Sequence, residues 1–412
     1  MPGRRDRGAG MSTAGDTGRS VVVVGASAAG LAVAEGLRAA GFAGRVALIG
    51  AEDHLPYDRP PLSKQLLSGA WSPERLALRQ SAEVDALGLD LRLGVAATGV
   101  DVAGRRVALA DGSSYAYDDL VVATGTRARR LPGTEGLANV HVLRTLEDAL
   151  ALRETVAARR SLVVVGGGFV GAEAAAVART AGCEVTLVTD TPQPMSDALG
   201  EELGAMLRAV HEEHGVRIET GVLVDRVLAA EGRASAVVLA DGRRIGADAV
   251  LVGIGAIPRT EWLADSGLPL GDGVVCDPCL RAAPGVWAAG DIAAWPDPAT
   301  GALHRVEHRT NAGEQGLAVA RNILAGPGNA RPFTSVPYVW SDQYELKIQI
   351  YGSTRGADDI TVVEGDTASR RLVAVYGREG RLRAAVGVNM IRALRGYRPR
   401  VADGGPLERS AA

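Results

Sequence analysis

The hydrophobic and polar positions of this 412-residue chain contain a repeat that is offset by 141 residues. Each copy has an apolar run, a glycine, an alanine-rich stretch and a second apolar run: 20–24, Gly25, 28–40 and 46–49 in the first copy, and 161–165, Gly166, 169–181 and 185–188 in the second. Unbroken apolar runs of this length are typical of strands buried on both faces, and the alanine-rich stretches are typical of helices. The pattern therefore predicts an α/β fold with two doubly wound, Rossmann-like units.

A different pattern begins near residue 331. Aromatic residues cluster between Tyr338 and Tyr351, and the runs 347–350 and 372–375 predict strands of an antiparallel sheet. The glycine- and proline-rich turn just before this region is a plausible domain boundary. We therefore predict a C-terminal α+β domain over residues 331–412. At the other end, residues 1–19 have no apolar run and are expected to form a disordered leader.

Both copies of the repeat carry a glycine-rich turn between strand and helix. In the first copy Gly25, Ser27 and Gly30 occupy the three fingerprint positions of a dinucleotide-binding loop. Such a loop places a pyrophosphate at the helix N-terminus, where free N–H groups face it. The second copy has glycine at all three positions. Two such loops in complete strand–helix–strand units predict two dinucleotide sites, and a flavin paired with a nicotinamide coenzyme is the expected combination.

The residues after the second strand of each unit bear on the adenosine ribose. An acid is expected there, and Glu52 follows the first unit's strand one residue late. In the second unit Thr189 stands where a ribose-binding glutamate is expected, and Asp190 is next to it. No arginine lies in residues 186–206 to bind a 2′-phosphate. NADH is therefore favoured over NADPH, although NADPH stays possible.

Composition and charge exclude several classes of protein. The 45 basic and 48 acidic residues give a net charge of −3, whereas a nucleic-acid-binding protein normally shows a strong basic excess. No apolar run is long enough to span a membrane. The three cysteines favour a reducing, cytoplasmic compartment, and the pair Cys276 and Cys279 is interpreted as incidental, with no metal site. No cysteine pair comes directly after the first nucleotide helix, which excludes disulfide reductases of the glutathione-reductase kind. No cysteine lies in residues 50–64, which argues against single-cysteine peroxide and oxygen reductases.

Several motifs in fixed order carry a resemblance to a known family. They are Leu-Pro-Tyr-Asp-Arg-Pro-Pro-Leu-Ser-Lys at 55–64, Ala-Thr-Gly at 123–125, Leu-Arg-Thr-Leu-Glu-Asp at 143–148, Gly-Ile-Gly-Ala-Ile-Pro at 253–258, Ala-Ala-Gly-Asp at 288–291 and Val-Trp-Ser-Asp-Gln-Tyr at 339–344. Together with the two loops, this order resembles the FAD-dependent NAD(P)H:ferredoxin reductases of the putidaredoxin-reductase and biphenyl-dioxygenase-reductase type, within the glutathione-reductase superfamily. The resemblance covers roughly residues 20–395.

The resemblance implies which segments and residues of the chain bind each cofactor. It implies an FAD-binding domain at 20–125 and 254–330, and an NAD(P)H-binding domain at 126–253. It also implies that Lys64 lies beside the flavin and pairs with Glu173 as the catalytic pair. Asp291 would hold the ribityl chain. Arg309 departs from the aromatic or aliphatic residue of many relatives, and it either packs over the flavin or binds acidic residues of a partner.

The loops and the resemblance together assign a larger set of residues to cofactor binding. These are Gly25, Ser27, Ala29, Gly30, Ala51, Glu52, Arg59, Lys64, Ala97, Ala123, Thr124, Gly125, Arg144, Gly166, Gly168, Val170, Gly171, Thr189, Asp190, Gly255, Gly290, Asp291, Arg309 and Trp340. His308 is interpreted as a polar surface residue rather than a catalytic one. The basic run Arg392, Arg395, Arg398 and Arg400 is interpreted as a solvated face, with a docking patch for an acidic ferredoxin as the alternative.

The resemblance implies a flavoprotein that passes electrons from NADH through FAD to a [2Fe–2S] ferredoxin, which serves a cytochrome P450 or a Rieske oxygenase. Two other functions stay open from the sequence. One is an NADH oxidase or quinone reductase without a protein partner, and the other is a non-catalytic flavoprotein that senses NADH. The chain is expected to be a monomer or a homodimer.

Overall fold

The computed structural model describes residues 18–297 and 300–407. Its α-helices within these residues are α1 (Ala28–Ala39), α2 (Ser81–Ala86), α3 (Leu146–Ala157), α4 (Phe169–Thr180), α5 (Ser196–Glu213), α6 (Arg309–Ala325), α7 (Ile391–Arg395) and α8 (Tyr397–Asp403). Short 3-10 helices lie at Pro60–Ser63, Pro73–Leu76 and Glu261–Leu263. The two alanine-rich stretches thus form helices α1 and α4, each ending one residue before the predicted limit.

The first copy of the repeat belongs to a six-stranded sheet whose central strands are parallel. Its strands are, in spatial order, Arg281–Ala283, Val286–Ala288, Asp119–Val122, Ser20–Val24, Arg45–Ile49 and Asp90–Arg92. The strand Val286–Ala288 pairs directly with Asp119–Val122, although the whole second copy of the repeat lies between them in sequence. The first unit is therefore built from two separate segments of the chain.

The second copy forms a parallel five-stranded sheet. Its strands are, in spatial order, Arg217–Glu219, Glu184–Val188, Ser161–Val165, Ala249–Val252 and Val140–His141. All four pairings in this sheet are parallel. The prediction of two doubly wound units is thus confirmed.

Smaller sheets extend the two units. They are Ala97–Asp101, Arg106–Leu109 and Ser114–Ala116; Val224–Ala230, Arg233–Leu239 and Arg244–Gly246; and Leu270–Gly271, Gly273–Val275, Ala293–Pro296 and Leu303–His304. The strands Thr126–Ala128 and Ala256–Pro258 pair antiparallel where the chain leaves the first unit and returns to it. This crossing lies next to the predicted boundaries at 125/126 and 253/254, which stay a prediction.

The C-terminal region forms an antiparallel five-stranded sheet. Its strands are, in spatial order, Tyr338–Gln343, Leu346–Gly352, Arg381–Val388, Arg371–Arg378 and Asp359–Asp366. One face of this sheet shares a buried core with α5, in which Leu203 and Leu207 pack near Ile348 and Val386. The C-terminal sheet is therefore fixed to the second unit by apolar packing.

The predicted leader needs a correction at its end. Residues 1–17 lie outside the described residues, but Arg19 is ordered and its guanidinium lies 2.6 Å from the Asp119 carboxylate. Asp119 begins an internal strand of the first sheet and is buried beside Trp287, so this ion pair ties Arg19 to the sheet rather than leaving it in a loose leader. Within the described ranges, no helix is both long and apolar enough to cross a membrane.

Candidate functional site

A single cavity of about 710 Å³ opens at the carboxyl ends of strands from both parallel sheets. Most of the residues assigned to cofactor binding line it: Gly25, Ser27, Ala29, Ala51, Glu52, Arg59, Lys64, Ala97, Ala123, Thr124, Gly125, Arg144, Gly168, Val170, Gly255, Gly290, Asp291, Arg309 and Trp340, together with Glu173. The residues of the set that do not line it are Gly30, Gly166, Gly171, Thr189 and Asp190. A volume of this size lies within the usual range of cofactor sites.

The first glycine-rich turn admits no side chain at its key positions. Gly25 has φ +124°, and a Cβ there would lie 2.0 Å from the Ala123 carbonyl oxygen. A Cβ on Gly30 would lie 2.0 Å from the Gly25 carbonyl oxygen, so Gly30 serves helix packing and not ligand contact. The second turn repeats this geometry, with Gly166 at φ +107°. These are the distinct roles that the loop fingerprint requires of its first and third glycines.

Glu52 lies in the cavity wall with both carboxylate oxygens engaged by protein. Arg59 Nη2 lies 2.6 Å from Oε1, and the Tyr57 hydroxyl donates to Oε2. The Arg59 guanidinium also donates to the Arg144 carbonyl at 2.5 Å and lies over the Tyr57 ring. Burial, together with the neighbouring Glu52, raises the pKa of Tyr57, so its hydroxyl keeps its proton as a donor. The cluster fixes the position of the acid that was predicted to bind a ribose.

Asp291 lies at the other side of the cavity and is paired with Arg144. The Arg144 guanidinium lies 2.7 Å from Asp291 Oδ2, and the Asp291 carbonyl accepts from Arg305 at 3.0 Å. The adjacent Gly290 has φ +80° and packs against Ala29 of α1. Arg144 therefore orients the carboxylate assigned to the ribityl chain, and Arg305 holds the backbone that carries it.

Lys64 and Glu173 meet at the junction between the two units. Lys64 follows the 3-10 helix Pro60–Ser63, and Glu173 lies on α4, 109 residues away in sequence. Lys64 Nζ lies 2.9 Å from Glu173 Oε2, and the Ser63 hydroxyl donates to the same oxygen. Their side chains are only 9% and 5% exposed. A buried ion pair with a further hydrogen bond of this kind needs close geometry to offset its loss of hydration.

The apolar surroundings explain why the two charges meet. Leu62, Leu66 and Leu67 flank Lys64 in sequence and belong to one buried cluster with Leu152 of α3 and Ala174 of α4. The segment that carries Lys64 is thus packed on the second unit, although it connects two strands of the first sheet, Arg45–Ile49 and Asp90–Arg92. Lys64 therefore extends toward α4 and its acid.

Arg309 and Trp340 lie at the same part of the cavity wall. Arg309 Nε lies 2.5 Å from Asp58 Oδ1, and both side chains are about one-third exposed. The Trp340 ring stacks on Tyr338 with ring centroids 5.8 Å apart. Arg309 lines the cavity and is partly exposed, so packing over the flavin and binding of a partner carboxylate in place of Asp58 both stay predictions.

The interpretation of His308 as a surface residue is wrong. His308 lines the cavity, and its Nδ1 is buried without a hydrogen-bond partner among the described residues. Burial lowers the pKa of His308 to about 4, although nearby Asp291 opposes this effect. The sequence did not indicate this, because His308 precedes α6 in a polar stretch whose burial depends on the distant cavity wall.

His308 leads to a prediction about pH and stability. In the unfolded chain its pKa is the ordinary value near 6.5, so the unfolded state takes up a proton first as the pH falls. We expect this residue to lower the free energy of unfolding by about 3 kcal/mol between about pH 6.5 and pH 4. Urea unfolding of nucleotide-free protein at several pH values, compared with His308→Gln, measures the effect. Identical pH profiles for parent and variant would contradict it.

The two residues predicted to bind the ribose in the second unit, Thr189 and Asp190, do not line the cavity. Thr189 is buried, and its hydroxyl bonds to Thr191, whereas Asp190 is exposed. A Cβ on Gly167 would lie 2.8 Å from the Thr189 hydroxyl, so Thr189 packs beneath the loop. Thr189 N also donates to the Glu219 carbonyl.

Two arginines outside the window 186–206 lie near this end of the sheet. Arg217 and Arg243 each form an ion pair with Glu219, at 2.6 and 2.5 Å. Both are distant in sequence from the end of the strand Glu184–Val188, so the window 186–206 does not include them. The choice between NADH and NADPH consequently stays a prediction.

Thr189→Glu is expected to increase the preference for NADH over NADPH by about tenfold or more. A carboxylate at the end of this strand can accept hydrogen bonds from both ribose hydroxyls, and it repels a 2′-phosphate. The measurement is kcat/KM for each coenzyme in parent and variant. Glu184→Gln, a change of the exposed residue that begins the same strand, is the control and should leave the preference unchanged. An equal effect of Thr189→Glu on both coenzymes would contradict the prediction.

The cysteines do not form a redox centre. Cys276 is buried in the first core, and burial raises its thiol pKa to about 12. Cys183, Cys276 and Cys279 are all unpaired. No group of metal-ligating side chains occurs among the residues that the structure describes. The interpretation of the Cys276–Cys279 pair as incidental agrees with this burial.

The basic run lies on the C-terminal helices α7 and α8. Arg392, Arg395 and Arg398 are exposed, and Arg398 lies 3.7 Å from Glu314 of α6. Arg400 lies over the Tyr397 ring. The run is thus a solvated face, as predicted, and docking by a partner stays an alternative.

Sequence reasoning missed several residues of the cavity wall. They are Tyr57, Ser63, Phe169, Arg259, Trp262 and Tyr338. Tyr57 and Ser63 stand inside the motif at 55–64, so their neighbours in that motif were a usable signal. Trp262 lies in the 3-10 helix Glu261–Leu263, and no signal in the sequence indicated that it lines the cavity.

The residues present fit a bound FAD. The turn at Gly25 approaches the cavity without a side chain, and the first residues of α1, Ala28 and Ala29, line it with the free N–H end of a helix. From there the wall continues past Glu52 and Asp291 to Lys64. The wall thus offers a phosphate cradle, fixed acids and a buried cation in one continuous space.

Comparison with known proteins gives a consistent result. Residues 19–316 match the family model of pyridine nucleotide-disulphide oxidoreductases, and residues 338–412 match the model of the reductase C-terminal domain. Rhodocoxin reductase of Rhodococcus erythropolis is 41% identical over 352 residues, which cover 85% of this chain and 82% of that protein. The ferredoxin–NAD(+) reductase component of the biphenyl dioxygenase system of Paraburkholderia xenovorans is 38% identical over 90% of both chains.

Among solved structures, putidaredoxin reductase in its covalent complex with putidaredoxin superposes with a TM-score of 0.90. It is 34% identical to this chain, and the match covers 95% of each. The similarity therefore extends through both nucleotide-binding units and the C-terminal sheet.

Proposed function

Because the chain belongs to the pyridine nucleotide-disulphide oxidoreductase family and carries its reductase C-terminal domain, we propose that it is a flavoprotein reductase that passes electrons from NADH through FAD to a [2Fe–2S] ferredoxin. The ferredoxin would in turn serve a cytochrome P450 or a Rieske oxygenase. The relatives support this, because one is named rhodocoxin reductase and another is the ferredoxin reductase component of a dioxygenase system.

One observation carries the proposal. A single cavity runs from the first glycine-rich turn past the second one to the buried Lys64–Glu173 pair, and no cysteine lines it. Two nucleotides that share this space can bring their reactive rings together, and without a thiol the electrons must go directly from the flavin to an outside acceptor. Bound FAD supplies the required chemistry, since it accepts a hydride from a nicotinamide and can release electrons one at a time.

The residues of the chain act by binding, orienting and excluding water. The turn at Gly25 and the N-terminus of α1 would hold the FAD pyrophosphate, and Asp291 would fix the ribityl chain. Lys64 and Glu173 would form the floor against which the nicotinamide ring is positioned, with their charges balanced by each other. Arg309 and Trp340, in the more open part of the wall, would lie where a ferredoxin approaches.

A reducing cytoplasmic compartment is part of the proposal. Its support is that the three cysteines are unpaired and that two of them are buried. The near-balanced charge and the absence of nucleic-acid motifs leave a protein partner and two nucleotides as the expected ligands.

The test begins with the purified protein. We expect it to retain about one FAD per chain and to be reduced by NADH without oxygen. Cytochrome c reduction should then depend on an added [2Fe–2S] ferredoxin. Equal turnover with quinones and no ferredoxin would favour a quinone reductase or oxidase instead. Slow reduction with a persistent charge-transfer band and a change in molecular size would favour an NADH sensor.

A further inference from the structure

The hydrogen bonds of Glu173 do not end at Lys64. Glu173 Oε1 accepts from the Ser341 hydroxyl at 2.7 Å, and the Ser341 oxygen accepts from Gln343 Nε2 at 3.0 Å. On its other side, Gln343 Oε1 lies 2.8 Å from His211 Nε2. Ser341, Gln343 and His211 are each at most 1% exposed, so bulk water cannot supply these bonds. A continuous buried chain thus connects the acid of the ion pair to a histidine on α5.

The direction of each hydrogen bond follows from the chemistry of the groups. A carboxylate only accepts, so the Ser341 hydroxyl donates to Glu173, and its oxygen is then free to accept from the Gln343 amide nitrogen. Gln343 consequently presents its carbonyl oxygen to His211, and His211 Nε2 carries the proton. All donors in the chain point toward Glu173, and this direction stabilises the negative charge of the carboxylate.

His211 takes part in this chain as a neutral ring. Burial lowers the pKa of His211, the hydrogen bond to Gln343 opposes this, and nearby His214 adds to the lowering. The other titratable groups that face this region are Tyr344, whose hydroxyl lies 3.4 Å from His211 Nδ1, and Glu345, which lies 3.8 Å from His214. With its proton on Nε2, His211 can accept from the Tyr344 hydroxyl at Nδ1.

The chain orients the acid and does not conduct protons. An amide has separate donor and acceptor atoms, so Gln343 in the middle of the chain cannot pass a proton from its oxygen to its nitrogen without changing its bonding. The members of this hydrogen-bond chain come from three secondary-structure elements. Glu173 lies on α4 and His211 on α5, both in the second unit, whereas Ser341 and Gln343 lie on the first strand of the C-terminal sheet.

We propose that Gln343 is a positioning residue for the NADH-dependent reaction, because the chain His211–Gln343–Ser341 holds the Glu173 carboxylate charged and oriented toward Lys64. The inference rests on the proposed function only in assigning the ion pair to NADH oxidation. It gives the C-terminal sheet a part in the chemistry of the other two units, in addition to any part in docking.

Gln343→Met tests the inference, because methionine keeps the length and volume of the side chain and removes its hydrogen bonds. We expect the limiting rate of flavin reduction by NADH to fall by about fivefold to thirtyfold, as for the loss of a hydrogen bond that supports a charged group. The dissociation constant of NAD⁺ should change by less than about twofold. Asn322→Leu, which removes another fully buried amide away from the cavity, is the control for stability and should leave the rate unchanged.

A double-mutant cycle separates positioning from folding. If Gln343 acts through Glu173, Gln343→Met should have no further effect on the rate in a Glu173→Gln background. An equal slowing in both backgrounds, or an unchanged rate in the single variant, would overturn the inference.

Nitrogen NMR of ¹⁵N-histidine-labelled protein measures the protonation state and tautomer of His211, and so tests the hydrogen-bond chain without any turnover. We expect His211 to be neutral with its proton on Nε2 at about pH 7 to 8, and to lose this signature in Gln343→Met. A charged ring, or a proton on Nδ1, would overturn the proposed direction of the chain. If the parent protein is not reduced by NADH, the proposed function fails, while the NMR result still decides whether the chain exists.

Discussion

Replacing Lys64 with methionine is expected to slow the reduction of bound FAD by NADH by about 100-fold or more. The ammonium group lies 2.9 Å from Glu173, and both side chains are almost fully buried. Without the cation, the carboxylate must take up a proton or draw water into the cavity, and either change disturbs the surface proposed to position the nicotinamide ring. Anaerobic stopped-flow absorbance of the flavin measures the rate.

The chain offers a matched control for this variant. Its lysines are Lys64 and Lys347, and Lys347 is exposed on the C-terminal sheet. Lys347→Met should leave both the rate and the stability unchanged. Lys64→Met should also lower the free energy of unfolding by about 3–5 kcal/mol, because one partner of a buried pair is removed. An unchanged reduction rate in Lys64→Met would remove Lys64 from the mechanism.

Gly25→Ala is expected to yield protein that lacks FAD, with an apparent affinity lower by about 100-fold or more. The positive φ alone costs about 1–3 kcal/mol for a residue with a side chain. In addition, the new Cβ would lie 2.0 Å from the Ala123 carbonyl oxygen, so strand and turn must separate at the proposed pyrophosphate site. The ratio of FAD to protein after gel filtration, followed by titration with FAD, measures the loss.

Gly41→Ala distinguishes the two causes. Gly41 also has a positive φ, +82°, but nothing lies within 4 Å of the position of its Cβ. This control should therefore lose some stability and retain its FAD. If Gly25→Ala retains FAD equally well, the turn at Gly25 is not the phosphate cradle.

The repeat made the two nucleotide-binding units predictable from the sequence. Strands buried on both faces and helices that end at glycine leave a strong local pattern, so α1 and α4 were located to within one residue. The ion pair of Lys64 and Glu173 came from the resemblance and not from spacing, because 109 residues separate them. The structure adds the reason for their contact, which is the packing of the segment around Lys64 on the second unit.

Other parts of the site could not be derived from local patterns. The ion pair of Arg309 with Asp58 joins residues 251 positions apart, and nothing in the motif around Asp58 indicates which distant residue it contacts. The burial of His308 and the arginines beside Glu219 likewise depend on which loops meet in space. In the Trp-Ser-Asp-Gln motif, the sequence drew attention to Trp340, whereas Ser341 and Gln343 make the contacts with Glu173 and His211.

The connectivity of the first sheet constrains the order in which the units can fold during translation. Its strand Val286–Ala288 pairs with Asp119–Val122, so the four strands of that sheet that are translated first stay without this partner while the second unit is translated. The second unit is continuous and can close first, as a nascent chain folds unit by unit. FAD binding is then a late event. Until the sheet is complete, it exposes the unpaired edge of an apolar strand, so this is the stage at which the nascent chain is most prone to aggregate.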